Sequence, residues 1–297
     1  MDKINNKYGQ SVNTRYSLSL HYTRIITVMF FAIFVFTGCT ERIDIELDST
    51  YTRLSVEGYI TSDTMAHFVR LTKTTDYYNS EPPPPVTDAT VELDDGESII
   101  TLSEYNSMPG YYFTPFDYFG VPGRTYNLSI HLKEEINNET DYTAVSQMKP
   151  VADIDSITVV YNSNFEGWEI RIFALDPPSE DYYSFQVYKN GKLQSDTINE
   201  ISITDDRFFN GSYLAGVPAY FVRGQNSVAP GDTITLKMGA ITKDYFTFLV
   251  ELRDETFKFR NPLFSGPPAN IISNISGDAV GYFTAYSVSY ATTVYEE

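Results

Sequence analysis

Apolar and polar residues alternate through most of the chain. In TERIDIELD, Ile43, Ile45 and Leu47 interleave with Arg42, Asp44, Glu46 and Asp48, the period of two of a half-buried strand. The same period runs through RLSVEGYIT, with Leu54 and Val56 on one face, then HFVRLTKT, ATVELDDGESIITL and TYNLSIHL, with Tyr126, Leu128, Ile130 and Leu132 on one face. Asp95-Gly96 reads as a hairpin turn, and Pro122-Gly123 breaks the chain before the Tyr126 strand. Many short strands with Gly and Pro turns predict an antiparallel sandwich over residues 39–148. The pattern restarts after Lys149-Pro150, which places a boundary there and a second β-rich domain over 149–297. In that domain GWEIRIFALDPP puts Trp168, Ile170 and Ile172 on one face, with Trp168 as a core anchor. YYSFQVYKNGKL alternates up to Asn190-Gly191, the strongest short hairpin signal.

One segment breaks the alternation. Tyr245, Phe248, Leu249 and Leu252 fall at i, i+3, i+4 and i+7, which predicts a short helix near 243–256, capped by Thr242 and packed on a sheet. The four prolines Pro82 to Pro85 cannot donate to a ladder and predict an extended crossing on the sandwich surface; a proline-rich recognition segment is the other reading.

The start of the chain follows different rules. Lys3, Lys7, Arg15 and Arg24 precede the apolar run Ile25 to Phe36, the basic-then-apolar order of a secretory signal peptide over residues 1–38. That run is too short for a membrane span, which needs roughly 20 apolar residues. Phe36-Thr37-Gly38-Cys39 resembles the bacterial lipobox, whose cysteine sulfur receives a diacylglycerol. Cys39 is the one cysteine of the chain, so it is the expected lipidation site, and no disulfide staples the body.

Charge narrows the partners. The formal net charge is −18; without the leader, which carries four of 21 basic and one of 39 acidic residues, it becomes −21. Such a surface repels nucleic acid and anionic head groups. Catalytic chemistry has little support: His67 and His131 stand outside any spaced metal set, and no G-x-S-x-G or Walker loop occurs. The acid pairs Asp94-Asp95 and Asp205-Asp206 lack the spacing of a calcium loop, and Asp94-Asp95-Gly96 reads as a turn. No catalytic, cofactor or metal residues are therefore assigned. Binding has more support. The doublets Tyr77-Tyr78, Tyr111-Tyr112 and Tyr182-Tyr183 each put one ring inward and one outward in a strand, and an outward Tyr offers flat apolar area with a polar tip.

Five stretches, RLSVEGYIT, PPPPVTDATVELDDG, PGYYFTPFDYFGVPGRTYNLSI, MKPVADIDSI and PPANIISNISGDAVGYFTAYS, resemble in order the landmarks of a Bacteroidota envelope lipoprotein family, domain of unknown function 4249. The resemblance covers Cys39 to about Ser287. It implies two sandwich domains of immunoglobulin-like or carboxypeptidase-regulatory-like type behind a lipobox. It also implies an outer-membrane lipoprotein, surface-exposed or else periplasm-facing, beside a TonB-dependent β-barrel in ligand uptake or export. The alternatives are a surface adhesin or structural envelope protein without transport partner and, less favoured, a glycan- or peptide-acting hydrolase. Triplets at Asp63-Thr64-Met65, Asp155-Ser156-Ile157, Asp196-Thr197-Ile198 and Asp232-Thr233-Ile234 look like Bacteroidota O-glycosylation sites, which nominates Thr64, Ser156, Thr197 and Thr233. An Asp at a turn before a β-branched strand start gives the same triplet.

Overall fold

A computed structural model describes residues 52–75, 81–195, 197–222, 227–258 and 271–296. Cys39, the leader and the Ile43 to Leu47 alternation lie outside the described residues, as do Tyr77-Tyr78. The strands are β1 (Leu54–Thr61), β2 (Phe68–Lys73), β3 (Thr90–Asp94), β4 (Ile99–Thr101), β5 (Ser103–Tyr105), β6 (Met108–Phe113), β7 (Thr125–Ile136), β8 (Glu139–Gln147), β9 (Ile154–Asn162), β10 (Gly167–Leu175), β11 (Tyr182–Lys189), β12 (Lys192–Leu193), β13 (Ser202–Asp205), β14 (Tyr213–Val222), β15 (Thr233–Ile241) and β16 (Val280–Val294). The helix α1 (Lys243–Lys258) precedes β16.

The fold is mostly β, with sheets that are antiparallel except at one pairing and stack as two sandwiches. A nine-stranded sheet runs β12-β11-β15-β16-β1-β2-β6-β5, with β13 also paired to β11. Against its first half, β12 to β16, stands β14-β10-β9, and against its second half, β16 to β5, stands β4-β3-β7-β8. Alternation decides which residues fill the gaps. Val56, Ile60, Leu128, Ile130 and Phe283 share the first core, whereas Ile170, Ile172, Phe185, Leu236 and Met238 share the second. Trp168 packs half-buried against that second core.

The expected division at 148 and 149 falls between Met148 of the first core and Ile154 of the second. The C-terminal part is nevertheless not confined to the second sandwich. Ile275 and Ala279, just ahead of β16, and Phe283 and Ala285 within it complete the first core, and β16 is long enough to serve both. Val280 to Tyr286 pair in parallel with Ser55 to Thr61 of β1, and Ser287 to Val294 pair antiparallel with β15. The described residues accordingly belong to one compact unit.

Local signals explain the turns. Asn190 and Gly191 both have positive φ (52° and 78°), as a type I′ turn requires, and they join β11 to β12. Asp94 and Asp95 cap their own turn: Asp94 Oδ1 accepts the Gly96 N–H at 2.9 Å and Asp95 Oδ1 those of Glu97 and Ser98 at 3.0 and 2.8 Å. The exposed prolines form an ordered crossing at the edge of β2, where the Lys73 N–H donates to Pro84 O at 2.8 Å and the Val86 N–H to Leu71 O at 2.9 Å. Among the described residues no helix is long and apolar enough to cross a membrane.

Candidate functional site

Thr242 starts α1 by accepting the Tyr245 N–H on its Oγ1 at 3.3 Å, the role its position predicts. The apolar stripe then faces the outer side of the nine-stranded sheet. Leu249 is buried, while Tyr245 and Phe248 stack on each other and lie 5.1 and 4.8 Å from the Tyr282 ring of β16. The stripe is therefore packed as expected, but not sealed. Between α1, the outward residues of β1 and β16, and Leu193, Ile198 and Ile201 lies a cleft of about 440 Å³, lined by Tyr59, Tyr245, Phe248, Leu252 and Tyr282, with Glu57 and Thr197 among its polar groups. Its size is that of a small-molecule or side-chain site, and its wall is apolar with a few polar groups.

The cleft continues into a row of rings on the same sheet face. Tyr105, Phe113, Tyr111, Phe68, Tyr59 and Tyr286 succeed one another at centroid distances of 4.9, 6.2, 5.4, 5.0 and 6.5 Å. Side-chain alternation builds the row: Tyr111 points outward, and its neighbour Tyr112 is buried with its hydroxyl donating to Val86 O at 2.9 Å. Tyr182 and Tyr183 divide the same way, Tyr183 being buried with its hydroxyl donating to Asp176 Oδ1 at 2.8 Å. Tyr105, Phe113 and Tyr111 stack at interplanar angles of 18° and 17°, which hides their faces in one another. The row thus offers ring edges, suited to an apolar protein or ligand surface more than to a sugar lying flat.

Beyond Tyr286 the outer face becomes polar where the two sandwiches meet. Asp63 Oδ2 accepts the Tyr290 hydroxyl at 2.6 Å and faces Lys237 Nζ at 3.4 Å, and Lys237 is nearly buried. Burial pulls the Lys237 ammonium down from its ordinary range, and Asp63 opposes that shift. His67 is fully buried, with Nε2 3.0 Å from Thr61 Oγ1. Burial, aided by Lys237 and opposed by Asp63, lowers its pKa to about 4. The folded His67 therefore stays neutral where the unfolded one, titrating near 6.5, takes up a proton. Stability is expected to fall as pH drops from about 6.5 to about 4, by at most about 3 kcal/mol from this group. Urea melts of the wild type and His67→Gln at pH 7 and 4.5 check it: the variant should lose less between the two pH values, and equal losses would contradict it.

The residues nominated in the sequence are not brought together. Thr64, Ser156 and Thr197 are exposed, Thr64 in a bend and Ser156 on β9. Thr197 also lines the cleft, where its Oγ1 donates to Glu200 Oε2 at 3.1 Å. Thr233 is half-buried at the start of β15 with its N–H on Asn190 Oδ1, while Asp232 accepts the Ala229 N–H at 2.9 Å, so this triplet has the turn geometry. The acid pair at 205 and 206 is engaged as well, Asp205 with Arg207 and Asp206 Oδ2 with the Asp181 N–H at 3.0 Å. His131 is exposed and bonds Asp141 at 2.8 Å. No group of three or more His, Cys, Asp or Glu side chains suited to a metal occurs among the described residues.

Tyr59 and the Asp63–Lys237–Tyr290 cluster were not singled out as site residues by sequence reasoning. The available signal was parity: with Leu54 and Val56 inward, Glu57 and Tyr59 must point outward. A protein-family model described as "Domain of unknown function (DUF4249)" matches residues 40–292. No curated protein matches the chain.

Proposed function

From the chain's membership of the DUF4249 family, which assigns no chemistry, we propose that the protein is a non-catalytic binding lipoprotein of the outer membrane. It is tethered through a diacylglycerol on Cys39, placed at the cell surface, and serves as accessory partner of a TonB-dependent β-barrel in ligand uptake or export. One observation supports the binding role most: the aromatic cleft beneath α1 runs into an outward row of rings on the same sheet face. Tyr and Phe are enriched at protein interfaces, and Tyr is among the residues that stabilise such contacts most once water is excluded. The basic-then-apolar leader ending at Cys39 supports the tether.

Purification of the native protein from envelopes in mild detergent tests the reading. A stoichiometric β-barrel partner is expected, and its loss is expected in a Tyr59→Ser, Phe68→Ser variant that keeps its melting profile. A chain that purifies alone would overturn the barrel partnership and favour the adhesin reading, for which the same aromatic face would serve. The intact mass of this preparation also reads out sugar on Thr64, Ser156 or Thr197, whose exposure leaves their hydroxyls within reach of a transferase. A mass without added hexose would end the glycosylation proposal.

A further inference from the structure

Arg53, Arg70, Arg124, Arg171 and Arg207 each form an ion pair with an Asp or Glu. In a chain with 39 acidic and 21 basic residues this is the expected state of an arginine. Arg253 is the exception among the described residues. It is half-buried on α1, its Nη2 donates to Ile201 O at 2.7 Å, its buried Nε has no hydrogen-bond partner, and it forms no ion pair. Burial pulls its pKa down, against the weak opposing field of the exposed Asp254. A guanidinium taken partly out of water without a counter-charge, with its Nε unbonded, costs stability, so its position calls for a reason other than the fold.

Arg253 lines a second pocket, of about 350 Å³, which shares Ile201 with the aromatic cleft. Its wall joins the rings of Tyr220 and Phe221 to Asn199, Ser202 and Glu200. Asn199 Oδ1 is likewise buried without a partner. The Glu200 carboxylate is held by the N–H and hydroxyl of Thr197, at 3.3 and 3.1 Å, rather than by Arg253. Among the described residues one cation therefore lacks an anion in a pocket of ligand size, beside aromatic walls and amide groups. The planar fork of a guanidinium matches a carboxylate, and the fixed Glu200 disfavours a second negative charge on whatever enters.

We infer that this pocket is a binding site for a ligand bearing a single carboxylate, received by Arg253. The carboxylate can belong to a peptide C-terminus or to an acidic sugar. The inference is independent of the tether and of the barrel partner, because it rests on the pocket alone.

Titration calorimetry and thermal melts of the full chain in mild detergent test it with two pairs of probes: N-acetyl-trialanine against its C-terminal amide, and galacturonate against methyl galactoside. The carboxylate member of at least one pair should bind and raise the melting temperature, its neutral counterpart should not, and the pair that responds identifies the source. Arg253→Met should weaken that binding by about tenfold or more, with the melting temperature of the unliganded protein unchanged or higher. Arg253→Lys, which keeps the charge but not the fork, should bind with intermediate affinity and covers the case in which the Met variant does not fold. Equal binding of the neutral probes, undiminished binding by the variants, or no carboxylate binding at millimolar concentration would each overturn the inference.

Discussion

Replacing Gly281 with alanine should destabilise the body by about 3 kcal/mol or more, enough to lower the urea midpoint sharply. Gly281 sits inside β16 with φ of +100°, a conformation that an L side chain rarely adopts, and it faces Val56 in the parallel pairing of β1 with β16. A Cβ there would lie 2.0 Å from Val56 O and 2.9 Å from Val56 C. Both are backbone atoms of a strand whose inward side chains fill the first core, so no rotamer change relieves the overlap. Either the β1–β16 ladder opens or the Val56 and Ile60 side chains shift in a packed interior. Gly96→Ala supplies the comparison. Gly96 also has positive φ (+84°), but nothing lies within 4 Å of its added Cβ, so only the conformational cost of about 1 kcal/mol should appear. Similar losses for the two variants would show that the close approach to Val56 does not limit the fold.

Gly281 also marks where local pattern stops being informative. GDAVGYF reads as a turn feeding an aromatic strand, and Gly277 does occupy a turn, but Gly281 belongs to the strand itself. Its requirement comes from Val56, more than two hundred residues earlier. The same limit applies to domain organisation. Period two reveals the strands, Asn190-Gly191 its hairpin, and the i, i+3, i+4, i+7 stripe its helix, because each depends on neighbours in sequence. The parallel pairing of β1 with β16 depends on a crossover spanning the whole body, so β16 reads locally as one more strand of a C-terminal domain. The polar cluster at the junction was hidden for the same reason: Asp63 meets Lys237 and Tyr290 across separations of 174 and 227 residues. In the sequence Asp63 is only the first residue of an Asp-Thr-Met triplet. The aromatic face was half legible, since a Tyr doublet in a strand must send one ring outward. What could not be read was that Tyr105, Tyr111, Phe68 and Tyr59, from four strands, lie side by side.

Cys39→Ala should have the other large effect, and on location rather than folding. Cys39 stands fifteen residues before Leu54, the first residue of β1, and the two cores are filled by residues from Leu54 onward. The variant body should therefore melt as the wild type does. The tether should behave differently. Each acyl methylene buried in the bilayer contributes about 0.8 kcal/mol, so two or three chains hold a protein stably without a spanning helix, and removing their attachment point removes nearly all of that affinity. The leader would still direct export, with processing at the lipobox blocked or the product released from the membrane. Metabolic labelling with palmitate, read together with membrane fractionation, tests the tethered lipoprotein most directly. Label on the wild-type protein in the membrane fraction and none on Cys39→Ala is the predicted result, and label that persists in Cys39→Ala, or a wild type that takes up none, would contradict it.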